Sequence, residues 1–155
     1  WKDEVVNKLT SGLGQISKVR KIEYIQGSVK FLSENSIELT RENDSKETIN
    51  FDNIIIATGS NPSRISSLDI NSPRVLDSTS ALEIEDIPKS MLIIGGGYIG
   101  LELGTVYATL GSKVTVAEML PGILNGADND LVAVLKKKIK SLFESILVNE
   151  QPVGV

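Results

Sequence analysis

The sequence predicts an α/β fold in which a helix and a small antiparallel β-meander precede a parallel βαβ unit. Three observations carry that prediction. The apolar period changes from helical to strand-like near Lys21. The stretch "MLIIGGGYIG" (91–100) runs from an apolar strand through a glycine turn into a helix, and an acidic residue, Glu118, closes the strand after it.

The elements follow in order. Val5, Leu9, Leu13 and Ile16 are spaced by four, four and three residues, which stacks them on one face of a helix over 2–18, weakened by Gly12 and Gly14. From Lys21 to Ala57, "KIEYIQ", "SVKFL", "SIELT" and "ETINF" alternate or cluster β-branched and apolar residues between turn-formers such as Gln26-Gly27, Glu34-Asn35 and Asn43-Asp44, as an antiparallel meander would. "NIIIATGS" (53–60) reads as a short strand buried on both faces, because it does not alternate. Residues 60–90 carry Pro62, Pro73 and Pro88 and one helix candidate, "STSALEIED", with Ser78 or Ser80 as its N-cap. Then comes a βαβα run: strand 91–95, helix 98–110, strand 113–118, helix 127 to about 145, and a last strand starting near Ile146.

Composition bounds the function. The 155 residues are 41% hydrophobic and 23% charged with net charge −4, ordinary globular material. Glu102 interrupts the longest apolar run and no apolar leader opens the chain, so it is read as soluble, without a membrane span or secretory signal. The acidity argues against a nucleic-acid surface, and "KKKIK" (136–140) is the solvated face of the last helix. There is no Cys and no His, which removes disulfides, thiolate ligands and imidazole bases together and suits a reducing, cytoplasmic setting. Because it opens on Trp1 and closes just after a strand begins, the chain is expected to be a piece of a larger protein.

Gly95, Gly97 and Gly100 form G-x-G-x-x-G between a strand and a helix. Gly95 permits the tight turn, Gly97 lets backbone approach a pyrophosphate, and Gly100 lets helix and strand pack closely, with Gly104 extending that small face. The anion would sit on free N–H groups at the helix N-terminus. Glu118, 23 residues after Gly95, is placed to accept hydrogen bonds from the adenosine ribose. A 2′-phosphate would meet that like charge, and no Lys or Arg lies between Met119 and Leu135, which predicts NAD over NADP. The NTPase phosphate loop is excluded, since no Lys-Ser/Thr follows the glycines, and no Tyr-x-x-x-Lys pair is present. A self-contained dehydrogenase needs a catalytic group that this chain does not supply.

The pairing of "IIIATGSNP" with the later "MLIIGGGYIGLELGTVYATLGSKVTVAEMLPGIL" resembles the pyridine nucleotide-disulfide oxidoreductases, and "KDEVVNKLTSGLGQISKVRKIEYIQGSVKF" extends the resemblance over nearly the whole chain. "GGGYIGLELG" looks most like the branch that oxidises dihydrolipoamide for 2-oxoacid dehydrogenase complexes. The resemblance implies an FAD/NAD(P)-binding fold: 1–64 as part of an FAD-binding domain, 65–90 as a crossover, and 91–155 as the start of an NAD-binding domain. It places Thr58, Gly59 and Ser60 against the flavin nucleotide and the backbone near Val29, where the family usually has Gly or Ala, against its adenine. It assigns Gly95, Gly96, Gly97, Tyr98, Ile99, Gly100, Glu102 and Glu118 to the NAD side, with Tyr98 over the nicotinamide pocket and Glu102 as partner of a flavin-side Lys. The family's redox Cys pair and its His-Glu base have no counterpart in this sequence, so no catalytic residue is assigned and the chain alone is expected to be inactive. The same resemblance implies a homodimer associated with the 2-oxoacid dehydrogenase complexes. Two alternatives stand beside it: another NADH-linked flavoprotein disulfide reductase or peroxidase, and a nucleotide-binding module without catalysis of its own.

Overall fold

Helix α1 (Lys2–Val19) carries Asp3 and Glu4 in its first turn and Lys18 in its last, each complementing the helix dipole. In the computed structural model, which describes residues 1–63, 65–68 and 70–151, none of its residues is buried. The helix runs past 18 and closes on Lys21, which takes φ +55° and donates to the Lys18 carbonyl, while Ile22 N–H reaches back to Ser17 O. That is a Schellman closure with lysine in the position glycine usually fills. It draws on the start of "KIEYIQ", and residues 21–26 form no strand, contrary to expectation.

Strands β1 (Ser28–Ser33), β2 (Ser36–Thr40) and β3 (Lys46–Asn50) make the antiparallel meander, in that order. Both turns use the residues the sequence singled out. Ser33 pairs with Ser36 across Glu34-Asn35. At the second turn Asn43 Oδ1 accepts from Ser45 N–H at 3.1 Å while Asp44 adopts φ +59°. Phe31 and Phe51 meet edge to face at 6.4 Å. Leu39 is the one fully buried hydrophobic among the described residues of this part.

The expected strand 53–60 does not form, and Ile54, Ile55 and Ile56 are exposed. An all-apolar strand is stable only with ladder neighbours at its edges and cover on both faces, and no described strand pairs with it. The chain divides at this segment into two compact units, Trp1–Thr58 and Gly59–Val155.

In the second unit, "STSALEIED" yields only a 3₁₀ turn, Ser80–Leu82. The expected caps Ser78 and Ser80 give way to Asp77: its Oδ1 accepts from the N–H groups of Thr79 (3.0 Å) and Ser80 (2.8 Å), and Ser80 Oγ accepts from Asp77 N–H at 2.9 Å. The segment packs into the second unit. Ala81 is in the core, its carbonyl accepts the Tyr107 hydroxyl at 2.8 Å, and Pro88 O accepts Ser112 Oγ at 2.6 Å.

Strands β4 (Ser90–Ile94), β5 (Lys113–Glu118) and β6 (Ser145–Val148) form a parallel sheet in the order β4-β5-β6, with α2 (Tyr98–Thr109) and α3 (Asn129–Ile139) as the crossovers. The middle strand β5 buries Val114 and Val116 completely, and Leu101, Tyr107, Val132, Ile139 and Phe143 gather around them. Helix α3 stops well short of 145. Leu142 and Phe143 both donate to Ile139 O, a turn that puts Phe143 into the core and lets Glu144 N–H open the ladder with Val114 O. Among the described residues no helix is long and apolar enough to cross a membrane.

Candidate dinucleotide site

The turn after β4 is shaped by backbone demands first. Gly95 takes φ +103°, a conformation that L side chains rarely adopt, and its N–H donates to Ala117 O at 2.8 Å, carrying the β4–β5 ladder one step beyond the strand. Close approach dictates the next positions. A Cβ on Gly96 would lie 2.7 Å from Ile123 Cγ2, one on Gly100 2.6 Å from the Gly95 carbonyl oxygen, and one on Gly104 2.8 Å from Ile93 Cδ1. Gly97 differs: a Cβ there would meet no protein atom within 4 Å. It faces open space, so the fold's own packing does not require glycine there.

Gly97 is also the N-cap of α2, with no side-chain cap hydrogen bond. The first intrahelical bond runs from Leu101 N–H to Gly97 O, so the preceding N–H groups have no helical partner and the positive end of the helix dipole lies with them. A cavity of about 510 Å³ opens here, lined by Gly96, Gly97, Tyr98 and Glu118 on the turn side and by Leu120 and Leu124–Ala127 from the loop after β5.

Glu118 is buried, and both its oxygens are engaged. Oε2 accepts from Gly96 N–H at 2.6 Å and Oε1 from Leu120 N–H at 2.7 Å. Charge-assisted bonds of this kind contribute about 1.5–3 kcal/mol each. Each carboxylate oxygen retains a further lone-pair direction, so a ribose hydroxyl can still be accepted from the cavity. The residue expected to read the ribose therefore also holds the turn.

The other expected residues are placed as follows. Tyr98 is 68% exposed at the start of α2, so its ring does not pack into the core; Ile99 and Glu102 are exposed on the same helix. Thr58, Gly59 and Ser60 are exposed, with Gly59 at φ +72°, and Val29 is exposed on β1 opposite Leu39. The structure gathers Gly96, Gly97, Tyr98 and Glu118 at one cavity and leaves Gly59, Ser60 and Glu102 outside its lining. Sequence reasoning missed the loop wall. Its signal was the Asn125-Gly126 dipeptide, a turn former whose Gly126 takes φ +103°. It also stopped one residue short of Lys136, which lines a second cavity of about 250 Å³ with Pro121–Ala127, sharing the wall Leu124–Ala127 with the first.

A parallel βαβ unit with a glycine turn, an uncapped helix N-terminus and an acidic residue ending the second strand is a Rossmann-type nucleotide-binding unit. Residues 2–151 match the family described as pyridine nucleotide-disulphide oxidoreductase, and the chain belongs to that family. Among curated relatives, the chain is 46% identical to the dihydrolipoyl dehydrogenase of Vibrio parahaemolyticus over 147 residues, 95% of this chain and 31% of that protein. It is 42% identical to that of Geobacillus stearothermophilus over 154 residues, 99% and 32% respectively. Among solved structures, the Cu(II) complex of the HOCl-induced flavoprotein disulfide reductase RclA from Escherichia coli superposes with a TM-score of 0.81 at 30% identity, covering 97% of this chain and 34% of that one. The chain thus spans about a third of the length of these relatives. The family's name couples a pyridine nucleotide to a disulphide, and the RclA neighbour is a flavoprotein.

Proposed function

We propose that this chain is the NAD-binding portion of an FAD-dependent disulfide oxidoreductase of the dihydrolipoyl dehydrogenase type. The observation that carries the reading is the meeting of the bare Gly97 and the unpartnered amides of α2 with a buried carboxylate at one open cavity. The residues fit a dinucleotide: the α2 amides would hold its pyrophosphate, Glu118 would accept from its ribose, and Tyr98 would cover the nicotinamide pocket. Bound nicotinamide would supply the hydride-accepting ring. The chain's own part is orientation and electrostatics.

NAD is assigned over NADP because Glu118 presents negative charge where a 2′-phosphate would lie, and no Lys or Arg is among the residues that line its cavity. Calorimetric titration of the full-length protein tests this. NADH should bind at least about tenfold more tightly than NADPH, the equivalent of about 1.4 kcal/mol; equal affinities would sink the assignment.

The rest of the proposal follows from family membership and the sequence resemblance. Residues 1–64 belong to the flavin domain, with Thr58, Gly59, Ser60 and the backbone near Val29 as its FAD contacts, 65–90 to the crossover and 91–155 to the nucleotide domain. Glu102 is the partner of a flavin-side Lys. The whole protein oxidises dihydrolipoamide with NAD as acceptor, as a cytoplasmic homodimer serving 2-oxoacid dehydrogenase complexes. A second reading, another NADH-linked flavoprotein disulfide reductase or peroxidase, has the likeness to RclA in its favour. A Cys-x4-Cys upstream and a His-x4-Glu downstream in the gene would favour the lipoamide enzyme, and a single redox Cys the peroxidase.

A further inference from the structure

The geometry points to Glu118 as a positioning residue for the glycine turn, beyond the ribose contact; the inference rests on the reading of this cleft as a dinucleotide site. The two amides that Glu118 binds belong to different segments lining the 510 Å³ cavity, Gly96 on the turn and Leu120 on the loop after β5. Gly96 is held from its other side as well, since its carbonyl accepts Leu124 N–H at 2.9 Å from the same loop. Ile123, between these contacts, fills the space where a Gly96 Cβ would stand. The end of β5, the turn after β4 and the loop thus close into one ring of hydrogen bonds with Glu118 as the link, and that ring holds the turn against the loop.

A carboxylate is required at that link. It offers two acceptors to two N–H donors, whereas a Gln amide offers one acceptor and turns N–H toward the other donor. A residue that only reads the adenosine ribose matters only to ligands carrying that ribose. A residue that holds the turn matters to any ligand whose phosphate rests on it.

The test measures dissociation constants of the full-length protein for NADH and for reduced nicotinamide mononucleotide, which keeps a phosphate and the nicotinamide but lacks the adenosine half. Glu118→Gln should weaken the mononucleotide about tenfold and NADH by at least that factor, since NADH loses the ribose contact as well. Glu118→Asp, which keeps the charge on a shorter stem, should recover part of the loss for both. Weakened NADH with unchanged mononucleotide affinity would overturn the positioning role. Amide hydrogen exchange in the unmutated protein is a second measurement, independent of whether the variants fold. The Gly96 and Leu120 N–H groups should exchange slowly, and exchange at the rate of unbonded loop amides would overturn the ring. Failure of the unmutated protein to bind NADH would remove the dinucleotide reading and leave the exchange rates to decide whether the ring exists.

Discussion

The unit Gly59–Val155 buries a core of its own, while Trp1–Thr58 buries Leu39 and no other hydrophobic side chain among its described residues. Both carry apolar residues at the right spacing. In the second unit Val114 and Val116 on the middle strand are covered by α2, α3 and the turn that brings in Phe143. In the first, the stripe Val5, Leu9, Leu13, Ile16 is exposed from end to end, and so is every residue of β1. A hydrophobic pattern announces that a face can be buried; whether it is depends on a second surface at the right distance. The nucleotide turn sits on the unit that has such surfaces, and a site that must hold geometry to a fraction of an ångström needs that support.

The contrast can be broken most sharply at Phe143. Phe143→Ala removes a core ring and should destabilise the second unit by about 3–5 kcal/mol in urea unfolding; a cost under about 1 kcal/mol would mean the core is looser than its burial indicates. Gly100→Ala should rank next. Its Cβ would press on the Gly95 carbonyl and on Ile93, so α2 must move away from the turn, at about 1–3 kcal/mol of stability. NADH affinity should fall with it, while a gain in stability from better helix propensity alone would refute the close-packing account. Leu9→Ala should be the smallest. On the exposed face of α1 it should change the stability of the 155-residue chain by no more than about 0.5 kcal/mol. A larger loss would reveal cover over α1 and erase the difference between the units.

Legibility in the sequence followed the same division. The strand, turn and helix around Gly95 were readable because residue types there answer local demands: positive φ at Gly95 and close packing at Gly100. The two meander turns were readable for the same reason, since Asn and Asp near a chain reversal bond their own backbone. Where the reading failed, distant atoms decided. The helix expected over 127 to about 145 ends at Ile139, where Leu142 and Phe143 both donate to the Ile139 carbonyl and Phe143 enters the core. Ser78 and Ser80 looked like caps, but Asp77 is the residue whose carboxylate reaches the turn's amides.

By itself the sequence determined the order of elements in the βαβ unit, the position of its glycine turn and the acid that would stand beside it. Short-range spacing and φ preferences encode these directly, and they survive whatever surrounds them. Only the tertiary structure decided that, within these 155 residues, 53–60 forms no strand and the apolar stripe of α1 is left exposed, and that Glu118 ties Gly96 to Leu120. Ladder pairing, burial and a carboxylate's choice of donors depend on groups many residues away, and no local pattern specifies where those groups will be.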